Sequence, residues 1–278
     1  MRLARVLIVG GGYIGKPLAY DLAKQGNRVF VVRRSNDFYD HGNISLIKSD
    51  IFDLHELPQV DAVIYLVSAD AKTQACYQSA YIDGPEKIWQ LCKPYLPKRF
   101  MFASSTAVYP FNDGAWVDET TTLPKATEMN GICLQEAEKQ ILSFSCDPII
   151  TRIGGIYGPD RYYIINQIKK GRLHMTDKPV YTNRIHRDDC VRALQHLFNL
   201  PEIKSVYNVV DSSPTTVNEL LSWLSTTLGI YSPVPSQTND HFHSKTNKQV
   251  SNARLLETLF EFKYPSFREG YEPLLDTK

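Results

Sequence analysis

The sequence predicts an α/β protein, a doubly wound parallel sheet with a smaller C-terminal lobe capping it. Three observations predict it. Short apolar, β-branched runs alternate with helical stretches up to about residue 150. A glycine cluster, GGGYIG (10–15), joins the first such run to the first helix. After residue 153 the strict alternation lapses. Continuous apolar strands separated by helices belong to parallel sheets covered on both faces. A strand, glycine turn and helix at the start give such a sheet its Rossmann-type form.

The strands expected in the first part are RVLIVG (5–10), RVFVV (28–32), ISLIK (44–48), DAVIYLV (61–67), RFMFASS (99–105) and PIITRI (148–153). Between them fall helices near 14–25, 73–94 and 128–144. Pro17 sits in the first turn of its helix, where a missing N–H costs little. Beyond 153, residues 162–172 and 188–199 read as helices and VYNVV (206–210) as a buried strand. Thr216 and Glu219 have capping-box spacing ahead of LLSWLSTTLG, and Gly229 supplies a C-terminal stop. Residues 232–248 are polar and contain proline, an exposed-loop composition. SNARLLETLFEF then returns to helical periodicity. The expected division is residues 1–153, taking in also about 184–210, as the nucleotide-binding part, with 154–183 and 211–278 as the substrate-binding lobe.

The formal net charge is +1, without the dense basic surface that nonspecific nucleic-acid binding needs. Lys169-Lys170 and Arg33-Arg34 are short pairs. The five cysteines are scattered and include no C-x-x-C pair, so a reducing, cytoplasmic location is expected. VLIV is too short for a signal-peptide core. No run approaches the roughly 20 apolar residues of a membrane span. His241 and His243, in DHFH, lack a third ligand nearby, and no metal site is expected. A small-molecule substrate is the expected partner, and the sequence leaves a homodimer open.

Gly10, Gly12 and Gly15 fit G-x-G-x-x-G in the setting that gives the pattern meaning. The first permits a tight turn. The second lets a pyrophosphate approach the backbone across Tyr13 and Ile14, and the third lets helix and strand pack closely, with the helix N-terminus favouring phosphate charge. The second strand ends in Arg33, Arg34 and Ser35, where an acidic residue would bond the ribose diol of NAD. A guanidinium fork suits a 2′-phosphate, so NADP is expected over NAD. Solvated arginines at a strand end are the alternative. Asp50 and Ile51, after the third strand, are placed to bracket an adenine ring, although an ordinary loop aspartate fits the same spacing.

GGGYIG, SDIFDL, YLVSA, SSTAVYP, RIGGIYGP and NRIHRDD occur in one order along the chain. In that order the sequence resembles the extended short-chain dehydrogenase/reductases, the NAD(P)-dependent epimerase/dehydratase family, over nearly its whole length. The resemblance implies that Val67, Ser68 and Ala69 line the cofactor, and that Ser105 hydrogen-bonds the reacting oxygen of the substrate. It also implies a Tyr-x-x-x-Lys pair, whose cation lowers the tyrosine pKa on a shared helix face. Here those positions hold Asn130 and Leu134, and no tyrosine lies between Tyr109 and Tyr157. The family's N-x-x-G also departs, with Tyr81 at the Asn position ahead of Gly84.

Candidate surrogate proton donors are Tyr81, for which a packed core tyrosine is the favoured alternative, and Tyr109, Tyr157, Tyr162 and Tyr163, with His186 behind them. For His186 a bond to backbone or to Asp188 is the expected role. Arg152 and Arg184 are candidates to meet a substrate phosphate or carboxylate, or to form structural ion pairs. The resemblance implies an NAD(P)-binding oxidoreductase or epimerase/dehydratase acting on a small hydroxylated substrate such as a nucleotide sugar. The chain reads as an enzyme with an atypical active site. The other reading is a catalytically inactive NADP-binding sensor or interaction protein.

Overall fold

Seven runs rich in valine, isoleucine and phenylalanine pair into one sheet in the computed structural model, which describes residues 3–36, 42–230 and 246–275. They are β1 (Arg5–Val9), β2 (Arg28–Arg33), β3 (Ile44–Lys48), β4 (Ala62–Tyr65), β5 (Arg99–Ser105), β6 (Asp147–Ile153) and β7 (Val206–Val209). Their order across the sheet is β7-β6-β5-β4-β1-β2-β3. β1 pairs in parallel with both β2 and β4, β2 with β3, and β4 with β5. The chain reverses its winding direction between β1 and β4, which is where open α/β sheets leave a crevice at their strand ends. Val6 to Val9 of β1 are wholly inaccessible, as a strand covered on both faces must be.

The helix α1 (Gly15–Lys24) buries Leu18, Ala19, Leu22 and Ala23, a stripe at the i, i+4 spacing of one helix face. The helix expected as one piece over 73–94 is broken. It comprises α2 (Gln74–Gln78), a π-helical turn over Ser79–Asp83 and α3 (Gly84–Cys92). The reason lies in Gly84-Pro85. Proline has no N–H to give the carbonyl four residues back, here that of Tyr81, while the Gly84 N–H reaches five residues back to Ser79 O. The Tyr65 hydroxyl fixes the wider turn by donating to Ala80 O at 2.8 Å.

A Cβ at Gly84 would lie 2.2 Å from that same hydroxyl. Gly84→Ala is therefore expected to cost about 1–3 kcal/mol of overpacking. In urea denaturation, adding Tyr65→Phe should make the double variant more stable than the sum of the two singles requires; strict additivity would mean that the two residues do not compete for this space.

β4 also stops earlier than expected, at Tyr65 in place of residue 67. Leu66 N–H still donates to Val9 O at 2.8 Å. The fourth helix, α4 (Met129–Leu142), buries Cys133, Leu134, Ala137, Glu138 and Ile141.

The chain divides into two compact units. One holds the residues up to Val108, Lys125–Arg152 and Val191–Tyr207, the other Tyr109–Pro124, Ile153–Cys190 and the described residues from Asn208 onward. In the second unit, short strands pair residues 155–157 with 184–186 and 115–117 with 248–250 in parallel, and 181–182 with 215–216 antiparallel. Its core gathers Ile165, Leu220, Leu224, Phe267 and Tyr271. Thr216 caps its helix as expected, Oγ1 accepting the Glu219 N–H at 3.1 Å. The Glu219 carboxylate turns away to Thr215 and Arg268 and leaves the box half made. Gly229 ends that helix at φ +65°. Most of the stretch expected as an exposed loop, 232–248, lies outside the described residues, and His241 and His243 with it. Among the described residues no helix is long and apolar enough to cross a membrane, and all five cysteines are free thiols.

Candidate functional site

The glycine turn at the end of β1 is built as its spacing requires, with each glycine needed for a different reason. Gly10 has φ +100°, and a Cβ there would meet Leu66 C at 2.9 Å and Val67 N at 3.0 Å. The turn therefore closes against the backbone that leaves β4. A Cβ on Gly15 would lie 2.1 Å from Gly10 O, so α1 can start this close to β1 only without a side chain. Gly12 differs: it is exposed, and a Cβ there would meet nothing within 4 Å. The space in front of Gly12 is open, which suits a ligand that approaches the backbone.

No side chain caps the N-terminus of α1, where Ile14 holds the cap position and no acidic residue stands in the first turn. A helix start left without a carboxylate keeps its partial positive charge for an anion. Ile14 is buried and Tyr13 half-buried. The donor and charge chemistry of this turn fits a dinucleotide diphosphate.

At the end of β2, Arg33 donates to the Ser35 hydroxyl. Arg34 points elsewhere, and its guanidinium grips both carboxylate oxygens of Asp70 at 2.7 Å. Those hydrogen bonds hold the Asp70 carboxyl below the ordinary carboxylate range, and Asp70 in turn holds the Arg34 guanidinium above its own. Both side chains are exposed, so the pair contributes little to stability. It does tie the end of β2 to the segment Val67, Ser68 and Ala69. At the end of β3, Asp50 Oδ1 accepts the Phe52 N–H at 3.0 Å, and Ile51 beside it is half-buried.

On the other side of the switch point, β5 ends in two serines that face opposite ways, as successive strand residues must. Ser104 is buried and donates to Glu138 at 2.6 Å. Glu138 also receives Arg152 in a forked ion pair, 2.7 Å from Arg152 Nη2 and 3.1 Å from its Nε. Of the two roles expected of Arg152, a substrate anion's partner or an ion pair, the structure shows the structural ion pair. Ser105 is half-buried, its Oγ accepting the Ala107 N–H at 3.2 Å.

The helix α4 passes close beside this strand end, since a Cβ on Gly131 would lie 2.9 Å from Ala107 O. Asn130 therefore stands near the turn after Ser105, with its Oδ1 accepting the Gly131 N–H at 2.9 Å. Leu134, at the lysine position of the family pattern, is 2% exposed. Tyr81 lies in the π-helical turn, half-buried and stacked on Tyr77 with ring centroids 5.9 Å apart. Burial raises its pKa above that of a free tyrosine.

The remaining candidates are in the second unit. Tyr109 is 0% exposed, with its hydroxyl 2.9 Å from both Asp118 O and Asn208 Oδ1. Tyr157 is 2% exposed and stacks on Tyr271 at 4.4 Å, and burial drives its pKa far up. Both are held as core residues. His186 Nδ1 accepts the Asp188 N–H at 3.2 Å, the turn-fixing role expected of it, and burial holds its imidazole below the ordinary histidine range. Arg184 Nε and Asp211 Oδ2 are buried without a hydrogen-bond partner among the described residues.

Two participants escape a reading of the sequence. Asp70 pairs with Arg34 across 36 residues, a separation that leaves no local signal. The π-helical turn carries one: Gly84-Pro85 inside a supposed helix removes the N–H that α-helical winding needs.

Residues 6–209 match the NAD dependent epimerase/dehydratase family. Among solved structures, the chain is similar to a putative NAD-dependent epimerase/dehydratase from Methylobacillus flagellatus. That likeness has 30% identity and a TM-score of 0.80 over 99% of this chain and 98% of the other. It is 25% identical to Protein YeeZ of Escherichia coli K12 over 95% of this chain and 97% of that protein. It also shares its fold with a UDP-glucuronic acid 4-epimerase from Bacillus cereus solved with UDP-glucuronic acid and NAD. There the TM-score is 0.81 at 18% identity, over 98% of each chain. With the match spanning most of its length, the chain belongs to the NAD-dependent epimerase/dehydratase family.

Proposed function

We propose that the chain binds a nicotinamide dinucleotide, NADP ahead of NAD, and works as an oxidoreductase or epimerase/dehydratase on a small hydroxylated substrate such as a nucleotide sugar. One observation carries this reading: a glycine turn closed at Gly10 and Gly15 but open in front of Gly12, beside an uncapped helix start. In this reading the turn holds the diphosphate, Arg33 and Ser35 hold the 2′-phosphate, and Asp50 accepts from the adenine amino group. Ser105 hydrogen-bonds the reacting oxygen of the substrate. The bound nicotinamide supplies hydride chemistry. The sugar-nucleotide class takes support from the ligand of the Bacillus cereus epimerase.

Calorimetry tests it. Charge-assisted hydrogen bonds of about 1.5–3 kcal/mol put NADPH roughly 10- to 150-fold ahead of NADH, and Arg33→Asp should collapse the gap. Equal affinities in the parent protein would refute the NADP assignment, and failure of both coenzymes to bind would refute the reading as a whole.

Burial of Leu134 favours a second reading, an inactive NADP-binding sensor or interaction protein. No ammonium is there to lower the pKa of a proton donor. Product formation from UDP-glucuronic acid or UDP-glucose, followed by NMR with coenzyme bound, supports the enzyme; bound coenzyme with no product from either supports the sensor.

A further inference from the structure

A pair of side chains bridges the crevice at the switch point. β1 lies between β4 and β2 in the sheet. Its end is held from both sides: Gly10 N–H donates to Val32 O of β2 at 3.0 Å, and Leu66 N–H, just past β4, donates to Val9 O at 2.8 Å. Arg34 follows β2 directly, and Asp70 stands on the segment that leaves β4. A bond between the two crosses the carboxyl end of β1, where the glycine turn begins. The bond is made in forked form, each terminal guanidinium nitrogen of Arg34 donating to its own carboxylate oxygen of Asp70 at 2.7 Å.

The pair does little for the fold. Its side chains are 64% and 65% exposed, and an ion pair so placed in water is worth little. The strands it spans are already joined through β1, which pairs in register with both. A dinucleotide makes the same crossing. Arg33 and Asp50 put its adenosine half on the β2 and β3 side, and the rest passes the switch point toward β4. Gly12, the open point of the turn, lies on that path.

We infer that Arg34 and Asp70 form a gate across the dinucleotide path, closed over the bound coenzyme as well as over the free turn. The inference rests on the dinucleotide reading above and adds the control of exchange to it. Such a gate has a kinetic signature. Coenzyme enters and leaves only while the pair is open, so the pair slows both passages by one factor and leaves affinity unchanged. Removing a residue that touches the ligand acts differently, mainly on dissociation. Asp70 also neutralises Arg34, and losing one member alone would change the charge that draws the coenzyme in. Both are therefore changed together.

Arg34→Met with Asp70→Asn removes the pair and keeps the net charge. Stopped-flow fluorescence of the reduced nicotinamide follows association and dissociation of NADPH and NADH, and calorimetry gives the affinities. An exposed pair of about 0.2–1 kcal/mol is closed roughly 1.4 to 5 times as often as it is open. Both rate constants should then rise roughly 2- to 6-fold, alike for the two coenzymes, with the dissociation constants unchanged. Asp70→Glu keeps an ion pair and should exchange coenzyme close to the parent rate. Unchanged rates in the double variant overturn the inference. So does faster dissociation with lost affinity, the mark of a direct ligand contact, and so does an Asp70→Glu variant as fast as the double one. If the parent protein binds neither coenzyme, the dinucleotide reading itself has failed.

Discussion

Glu138→Ala is expected to lower the stability of the protein by about 3–5 kcal/mol, the cost of leaving a buried charge without its partner. Glu138, Arg152 and Ser104 are all nearly inaccessible. One carboxylate serves both the guanidinium of Arg152 on β6 and the hydroxyl of Ser104 on β5. Truncation strands a cation and a hydroxyl in the core at once. Urea denaturation reads the loss. Glu138→Leu combined with Arg152→Met should restore most of it, because a well-packed apolar pair of similar volume is often as stable as a buried ion pair. A loss below about 1 kcal/mol in the single variant would place the pair in the class of hydrated surface bridges. The interaction reaches the site through Ser104: by fixing that side chain inward, it fixes the outward direction of Ser105.

The second large effect separates two glycines three residues apart. Gly15→Val should destabilise the protein by about 1–3 kcal/mol or more through overpacking, because its Cβ would press on the backbone oxygen of Gly10 at 2.1 Å. Gly12→Val should leave stability within about 0.5 kcal/mol of the parent, since a side chain there enters open space. The same change should weaken NADPH binding roughly 5- to 150-fold, the same 1–3 kcal/mol of steric cost now charged to the ligand. Thermal melts and calorimetry on the two variants check both halves. Full NADPH affinity in Gly12→Val would mean that no diphosphate passes over this turn.

The nucleotide half of the fold was legible because its signals are local. Gly10, Gly12 and Gly15 encode a turn within six residues, and each apolar run encodes its own strand. What stayed hidden depends on partners distant in sequence. Arg33 and Arg34 read alike, yet one turns to Ser35 and the other to Asp70. For Arg152 the sequence left a substrate anion and an ion pair equally open, and only the packed chain shows the buried partner, Glu138, fourteen residues away. Tyr109, in an active-site-like segment, is closed into the core by Asp118 and Asn208. Burial is a property of the packed chain, and neither spacing nor composition reports it for a single tyrosine.

The wide turn over Ser79–Asp83 makes the Tyr81 position depend on chain length as well as on residue type. Each α-helical residue advances the winding by about 100°, so losing one codon here would restore regular pitch and swing another side chain into the place of Tyr81 beside Tyr77. Nothing in the glycine bend would change. A one-residue deletion or insertion at this point is thus a route by which the same scaffold can exchange the side chain that this turn presents.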